Sequence, residues 1–155
     1  MFTGRMGFSF ALVTHFILMA WVSLVVGPRV RIPNHGWFRV RRCESRFYPT
    51  LGVRLFGKLL DVIGWNRVIA GERGFNGTRE GLKELDQHTR RSEVGHSICL
   101  FVTVALAFGV LTTGAWQCAV WLVALGLLLH LYPVLLQRLL RARIQSISAR
   151  LSIRS

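Results

Sequence analysis

The sequence is short of acidic residues: seven Asp and Glu stand against 20 Lys and Arg, for a formal charge of +13. From Ile98 to Leu136 there is no Asp, Glu, Lys or Arg. The scarcity of acids argues against the carboxylate-rich metal sites of helical bundles, which combine two Glu-x-x-His motifs with further carboxylates. Only Glu93 and His96 make such a pair here. Cysteine is also scarce, with three residues that do not form a disulfide framework. Cys99 and Cys118 flank the proposed turn described below at depths roughly 15 Å apart, at about 1.5 Å per helical residue. A disulfide needs Cα atoms within about 7 Å. Cys43 lies in a basic segment, so all three read as free thiols or small apolar fillers. No nucleic-acid motif accompanies the positive charge, and the arginines flank apolar stretches. Anionic lipid headgroups are therefore the expected partners.

What is present is apolar. Hydrophobic residues make up 52% of the 155 and the mean hydropathy is +0.41, too high for an ordinary soluble domain of this length. The uncharged run from Ile98 exceeds one crossing of a hydrocarbon core about 30 Å thick, which takes roughly 20 helical residues. Thr112, Thr113 and Gly114 near its middle mark a turn between two antiparallel membrane helices. In such a hairpin His96 lies at the depth of Leu131, Glu93 at that of Val134 and Arg90 at that of Gln137. The polar clusters from Arg90 to His96 and from His130 to Arg143 then converge at one membrane face. Gly95, Ala105, Gly109 and Gly126 are the small residues expected to let the backbones approach.

Residues 7–26 form an earlier apolar span. No small-x-small cleavage site ends it and an arginine-rich stretch follows, both of which argue against a signal peptide. His15 within it reads as a packed histidine outside the site. Gly27 and Pro28 end the helix. Arg29, Arg31, Arg39, Arg41, Arg42 and Arg46 then alternate with Trp37, Phe38, Phe47 and Tyr48, as in a headgroup zone. Leu51 to Trp65 is amphipathic, with Arg54, Lys58 and Asp61 on one face, and suits the interface plane. Gly71 to Gly81 reads as a loop, and a helix starts after Thr78 with Glu80 in its first turn.

The expected architecture is an all-α integral membrane protein with about three transmembrane helices and an interfacial amphipathic helix. A single membrane domain covers 1–155, divided into span 1 (7–26), an interfacial segment (27–93), span 2 (94–112), span 3 (115–136) and a basic tail (137–155). The arginine excess of the segment and tail places both, with the C-terminus, in the cytoplasm.

Glu93 and His96, three residues apart, share a helical face. A carboxylate beside an imidazole orients it and raises its basicity, as needed to take a proton from a hydroxyl. Two other readings remain open. Arg90 and Arg91 can neutralise Glu93 in a helix-end charge network, with His96 capping the span. A metal could use His88 and His130 as added ligands. On the return helix His130, Pro133, Gln137 and Arg141 form one stripe. Pro133 would free a backbone carbonyl that neighbours must satisfy. Arg138, Arg141 and Arg143 suit phosphates, whether of lipid headgroups or of a coenzyme A donor.

Three blocks carry a family resemblance. They are Arg31-Ile32-Pro33 with Trp37-Phe38, then Thr89-Arg90-Arg91-Ser92-Glu93-Val94-Gly95-His96, then Leu131-Tyr132-Pro133-Val134-Leu135-Leu136-Gln137-Arg138 with Arg141 and Arg143. In order and spacing the chain resembles the glycosyl-4,4'-diaponeurosporenoate acyltransferase family of bacterial carotenoid pathways. It departs from the family's usual residues at His88, Ser97 and His130, where Glu, Trp and Asn are common. The resemblance implies a multi-pass protein of the bacterial cell (inner) membrane. It would move a fatty acyl group onto a hydroxyl of a membrane-embedded glycolipid or glycosylated carotenoid. His96 would be the general base held by Glu93. Arg90, Arg91 and Arg138 would hold donor phosphates or stabilise the carbonyl oxygen, and His130 and Gln137 would position substrate. No serine or cysteine is clearly placed as nucleophile, so direct transfer from a thioester such as acyl-CoA is expected, with no bound cofactor or metal. The competing reading is a non-catalytic scaffold or partner subunit whose basic flanks bind anionic lipid.

Overall fold

The computed structural model describes residues 4–27, 29, 32, 36–71 and 76–153. Pro28, Arg31, Pro33, residues 72–75 of the expected loop and the end of the tail lie outside them. Every regular element among the described residues is helical. The order is α1 (Gly4–Trp21), α2 (Arg42–Phe47), α3 (Val53–Val62), α4 (Trp65–Val68), α5 (Arg79–Thr112), α6 (Trp116–Gly126) and α7 (Tyr132–Ile153). Two π turns, Val22–Val26 and Leu127–Leu131, extend α1 and join α6 to α7. Three stretches are long and apolar enough to cross a membrane: Met6–Val26, Arg79–Thr112 and Trp116–Leu151. The chain is thus an all-α membrane protein with three such helices, one of them N-terminal.

The chain groups into two compact units. One comprises residues 1–31 and 94–134, the other 32–93 and 135–155.

The first unit is a three-helix bundle. Ala11, Ala107, Cys118, Ala119 and Leu122 make its centre, with Val110, Ala115 and Leu125 against them. Lipid tails are as apolar as these side chains, so close packing of small residues holds the helices rather than exclusion from water. A Cβ on Gly7 would lie 3.4 Å from Cys118 Cα, and Phe8 meets Trp121 edge-on at 5.0 Å. Of the three glycines expected to line the hairpin, Gly126 does so, against Thr103 and Leu100 of α5, and the other two do not. Gly95 faces Val22 of the first span, Gly109 faces open space, and Gly126 meets Thr103 and the His15 ring. The buried stripe of α5 is instead Cys99, Thr103 and Ala107, four residues apart. Leu24 and Phe101 stay about three-quarters exposed, as lipid-facing side chains do.

The expected turn is present. α5 ends at Thr112, and Gly114 takes φ +75°, left-handed geometry that costs other residues most. The Thr112 and Thr113 hydroxyls donate back to the carbonyls of Gly109 and Val110.

In the second unit Val40, Tyr48, Val53 and Leu139 form one apolar cluster and Leu82, Leu85 and Ile144 another. α5 starts as the sequence requires: Thr78 Oγ1 accepts from the Gly81 amide at 3.0 Å, and Glu80 lies in the first turn. α3 packs inward through Val53 and sets Gly57 against Leu136, leaving Leu55, Leu59 and Val62 exposed beside Arg54 and Lys58. An outward apolar face flanked by charge suits the membrane interface.

Candidate functional site

Each unit carries one polar constellation. In the first, three imidazoles run in a line through the bundle. His15 Nε2 lies 3.1 Å from the Leu122 carbonyl, and His15 Nδ1 lies 2.8 Å from His130 Nε2. His130 Nδ1 in turn lies 3.4 Å from His96 Nδ1. The ring centroids are 4.8 and 5.6 Å apart. His15 and His130 are fully buried, and His96 is the member that retains exposed surface. The depth match of His96 with residues near 131 therefore holds.

The proline supplies part of this arrangement. Pro133 has no amide hydrogen for the Leu129 carbonyl four residues earlier, and the π turn Leu127–Leu131 sits just before it. A backbone acceptor freed in a membrane segment must be satisfied by neighbours. Among the described residues no group of three or more His, Cys, Asp or Glu side chains is arranged to hold a metal. The histidine nitrogens meet one another and the Leu122 carbonyl.

The second unit is organised by charge. Glu93, 3% exposed, accepts from Arg138 Nη1 at 2.7 Å on Oε1 and from Arg141 Nη1 on Oε2. Arg138 also donates to Glu44 Oε2 at 2.8 Å and to the Tyr48 hydroxyl at 3.0 Å. Tyr48 donates to Glu44 at 2.9 Å. Arg141, fully buried, adds Thr89 Oγ1 at 3.2 Å and the Phe38 carbonyl at 3.4 Å, with its guanidinium 5.2 Å from the Phe38 ring centre. Two carboxylates and two guanidiniums thus neutralise one another, as buried charges must. The Arg138 hydrogen bond holds the Glu44 carboxyl below its usual range, and burial raises the Tyr48 phenol.

The predicted site residues therefore separate into different tasks. Glu93, proposed to orient His96, has its two oxygens on Arg138 and Arg141, while the Nδ1 of His96 meets His130. Arg138, proposed for phosphate, is held by two carboxylates. Gln137 is buried and donates to Ser92 Oγ at 3.1 Å. His130 is enclosed between two rings. Arg90 pairs with Asp86 at 2.6 Å, and Arg91 is exposed. His15 was missed because a lone histidine in an apolar span looks like packing. The signal was the stripe Gly7, Ala11, His15, whose small members bring that face against a neighbour.

The second unit also holds a cleft of about 630 Å³, lined by Phe38, Arg39, Arg41, Arg42, Arg90 and Gln145 among others. The residues lining it include no acid.

Residues 34–150 match a family model described as glycosyl-4,4'-diaponeurosporenoate acyltransferase. Neither a curated protein nor a solved structure matches the chain.

Proposed function

Because the chain belongs to the glycosyl-4,4'-diaponeurosporenoate acyltransferase family, we propose that it is a membrane O-acyltransferase. Its acceptor is a hydroxyl on a membrane-embedded glycolipid or glycosylated carotenoid, and its donor an acyl thioester. The observation that carries the reading is the His96 ring, held through Nδ1 and only partly buried where its two companions are fully buried. Ionisable side chains within membrane spans are costly and mark function by default.

In this reading His96 Nε2 takes the hydroxyl proton as the oxygen attacks the thioester carbonyl. The new C–O bond forms, the C–S bond breaks, and the departing thiolate takes the proton from the imidazolium. His130 supports the ring through its Nδ1. Charge developing on His96 strengthens that hydrogen bond, since ionised donors bind more strongly than neutral ones. In the second unit, Arg39, Arg41, Arg42 and Arg90 take the donor's phosphates. The quartet of Glu44, Glu93, Arg138 and Arg141 is structural.

The protein is assigned to the bacterial cell membrane, with the N-terminus outside and the arginine-rich segments and C-terminus in the cytoplasm. The test is direct. Membranes containing the chain, supplied with an acyl-CoA and a glycosylated carotenoid, should form an ester heavier than the acceptor by one acyl group. If no acylated acceptor is detected while the protein is present and inserted, the scaffold reading replaces this one.

A further inference from the structure

The histidine line has a direction, and that direction starts at His15. The Leu122 carbonyl can only accept, so the His15 Nε2 that faces it carries the proton. In a neutral imidazole the other nitrogen is then bare, and His15 Nδ1 accepts from His130 Nε2–H. That leaves His130 Nδ1 bare, to accept from His96 Nδ1–H. His96 is left with its proton on Nδ1 and a lone pair on Nε2. These tautomers are assigned from the bonding pattern. The opposite register reverses every donor along the line. It would leave His15 Nε2 bare against the Leu122 carbonyl, two acceptors facing each other. Inside a membrane-spanning bundle such a mismatch carries the full cost of an unsatisfied polar pair.

We infer that His15 is a positioning residue of the acyl-transfer site, fixing through His130 the His96 tautomer that exposes a basic Nε2. The inference rests on His96 being the base. His15 lies on the first span, outside the matched residues 34–150, so the family match does not itself assign it a role. The surroundings support a built site. Gly126 lets the His15 ring sit beside the helix that carries His130: a Cβ there would meet the His15 Cε1 at 3.5 Å. Thr103, the other polar group at this level, is satisfied by its own helix through the Cys99 carbonyl at 2.7 Å, so it does not compete for the rings.

The test uses the full chain, labelled with ¹⁵N-histidine and reconstituted in lipid nanodiscs. Imidazole nitrogen shifts should show the proton on Nδ1 in His96 and on Nε2 in His15 and His130. His15→Leu removes the acceptor at similar volume, whereas His15→Asn restores an oxygen near the Nδ1 position. The leucine variant should move His96 toward the Nε2–H tautomer. It should also lower kcat by about 10- to 100-fold, the range typical of losing a ring-orienting partner, with donor KM within about twofold. The asparagine variant should recover the wild-type His96 tautomer and most of kcat. A wild-type spectrum with His96 protonated on Nε2 overturns the inference whether or not any variant folds. So does an unchanged His96 tautomer in a folded His15→Leu protein. If the tautomers shift as stated but His96→Ala leaves transfer intact, the histidine line stands and the assignment of His96 as base fails.

Discussion

Arg138 donates from Nη1 to Glu93 Oε1 across 2.7 Å, joining α7 to α5 within the second unit. Glu93 is 4% exposed on its side chain and Arg138 14%, so the pair is largely screened from water. Arg141 holds the other carboxylate oxygen. Removing one member of a buried charge pair costs about 3–5 kcal/mol, because its partners stay buried and uncompensated. Glu93→Ala should therefore lower the thermal midpoint steeply. Glu44→Ala, at a carboxylate 31% exposed, should cost about 1 kcal/mol or less. Thermal unfolding in detergent separates the two, and equal losses would refute the ranking.

Acid should weaken the same network through Glu44. Its carboxyl is held below the usual 4.5, first by the Arg138 hydrogen bond. A folded-state value below the unfolded one gives stability that is present above about 4.5 and lost as pH falls through the folded value. Glu44→Gln should flatten the acid-side fall in thermal midpoint. Tyr48 acts at the other end. Burial raises its phenol above 10, so its contribution is lost as pH climbs beyond that value.

The turn glycine offers a cleaner backbone test. With φ at +75°, Gly114→Ala forces a Cβ into the left-handed region at a cost of about 1–2 kcal/mol. Nothing lies within 4 Å of that Cβ, so the penalty is conformational rather than steric. Unfolding measurements should show a loss of that size, and Gly109→Ala, in helix and open space, should show none.

The arginine cleft predicts a split between donors. Arg41→Ala and Arg42→Ala should each raise KM for an acyl-CoA several-fold while leaving kcat near wild type. An acyl-pantetheine lacking the nucleotide phosphates should be indifferent to both. The acyl-CoA effect should shrink as salt rises, since exposed charges are screened over about 10 Å at 0.1 M. Equal losses with both donors would remove phosphate binding from the cleft.

Much of this was legible in the sequence. The turn at Thr112 to Gly114, the three spans, the start of α5 after Thr78 and the depth match of His96 with His130 follow from hydropathy and turn chemistry. The partners of Glu93 do not. Equal counting from the turn put Val134 at its depth. The carboxylate instead reaches Arg138 and Arg141, because arginine side chains are long and the π turn adds a residue before α7. In a chain with seven acids and 20 basic residues, a buried carboxylate is more readily claimed by guanidiniums than by an imidazole three residues away. His15 was illegible for another reason. Its partners lie 107 and 115 residues further along, and only packing brings them together.

In the proposed reaction His96 removes the acceptor's proton. The most direct measurement is the initial rate of acyl transfer by His96→Ala in membranes, normalised to inserted protein. The expected loss is about 10²–10⁴-fold at unchanged expression and insertion, the usual cost of removing a general base. A rate within a few-fold of wild type would contradict it.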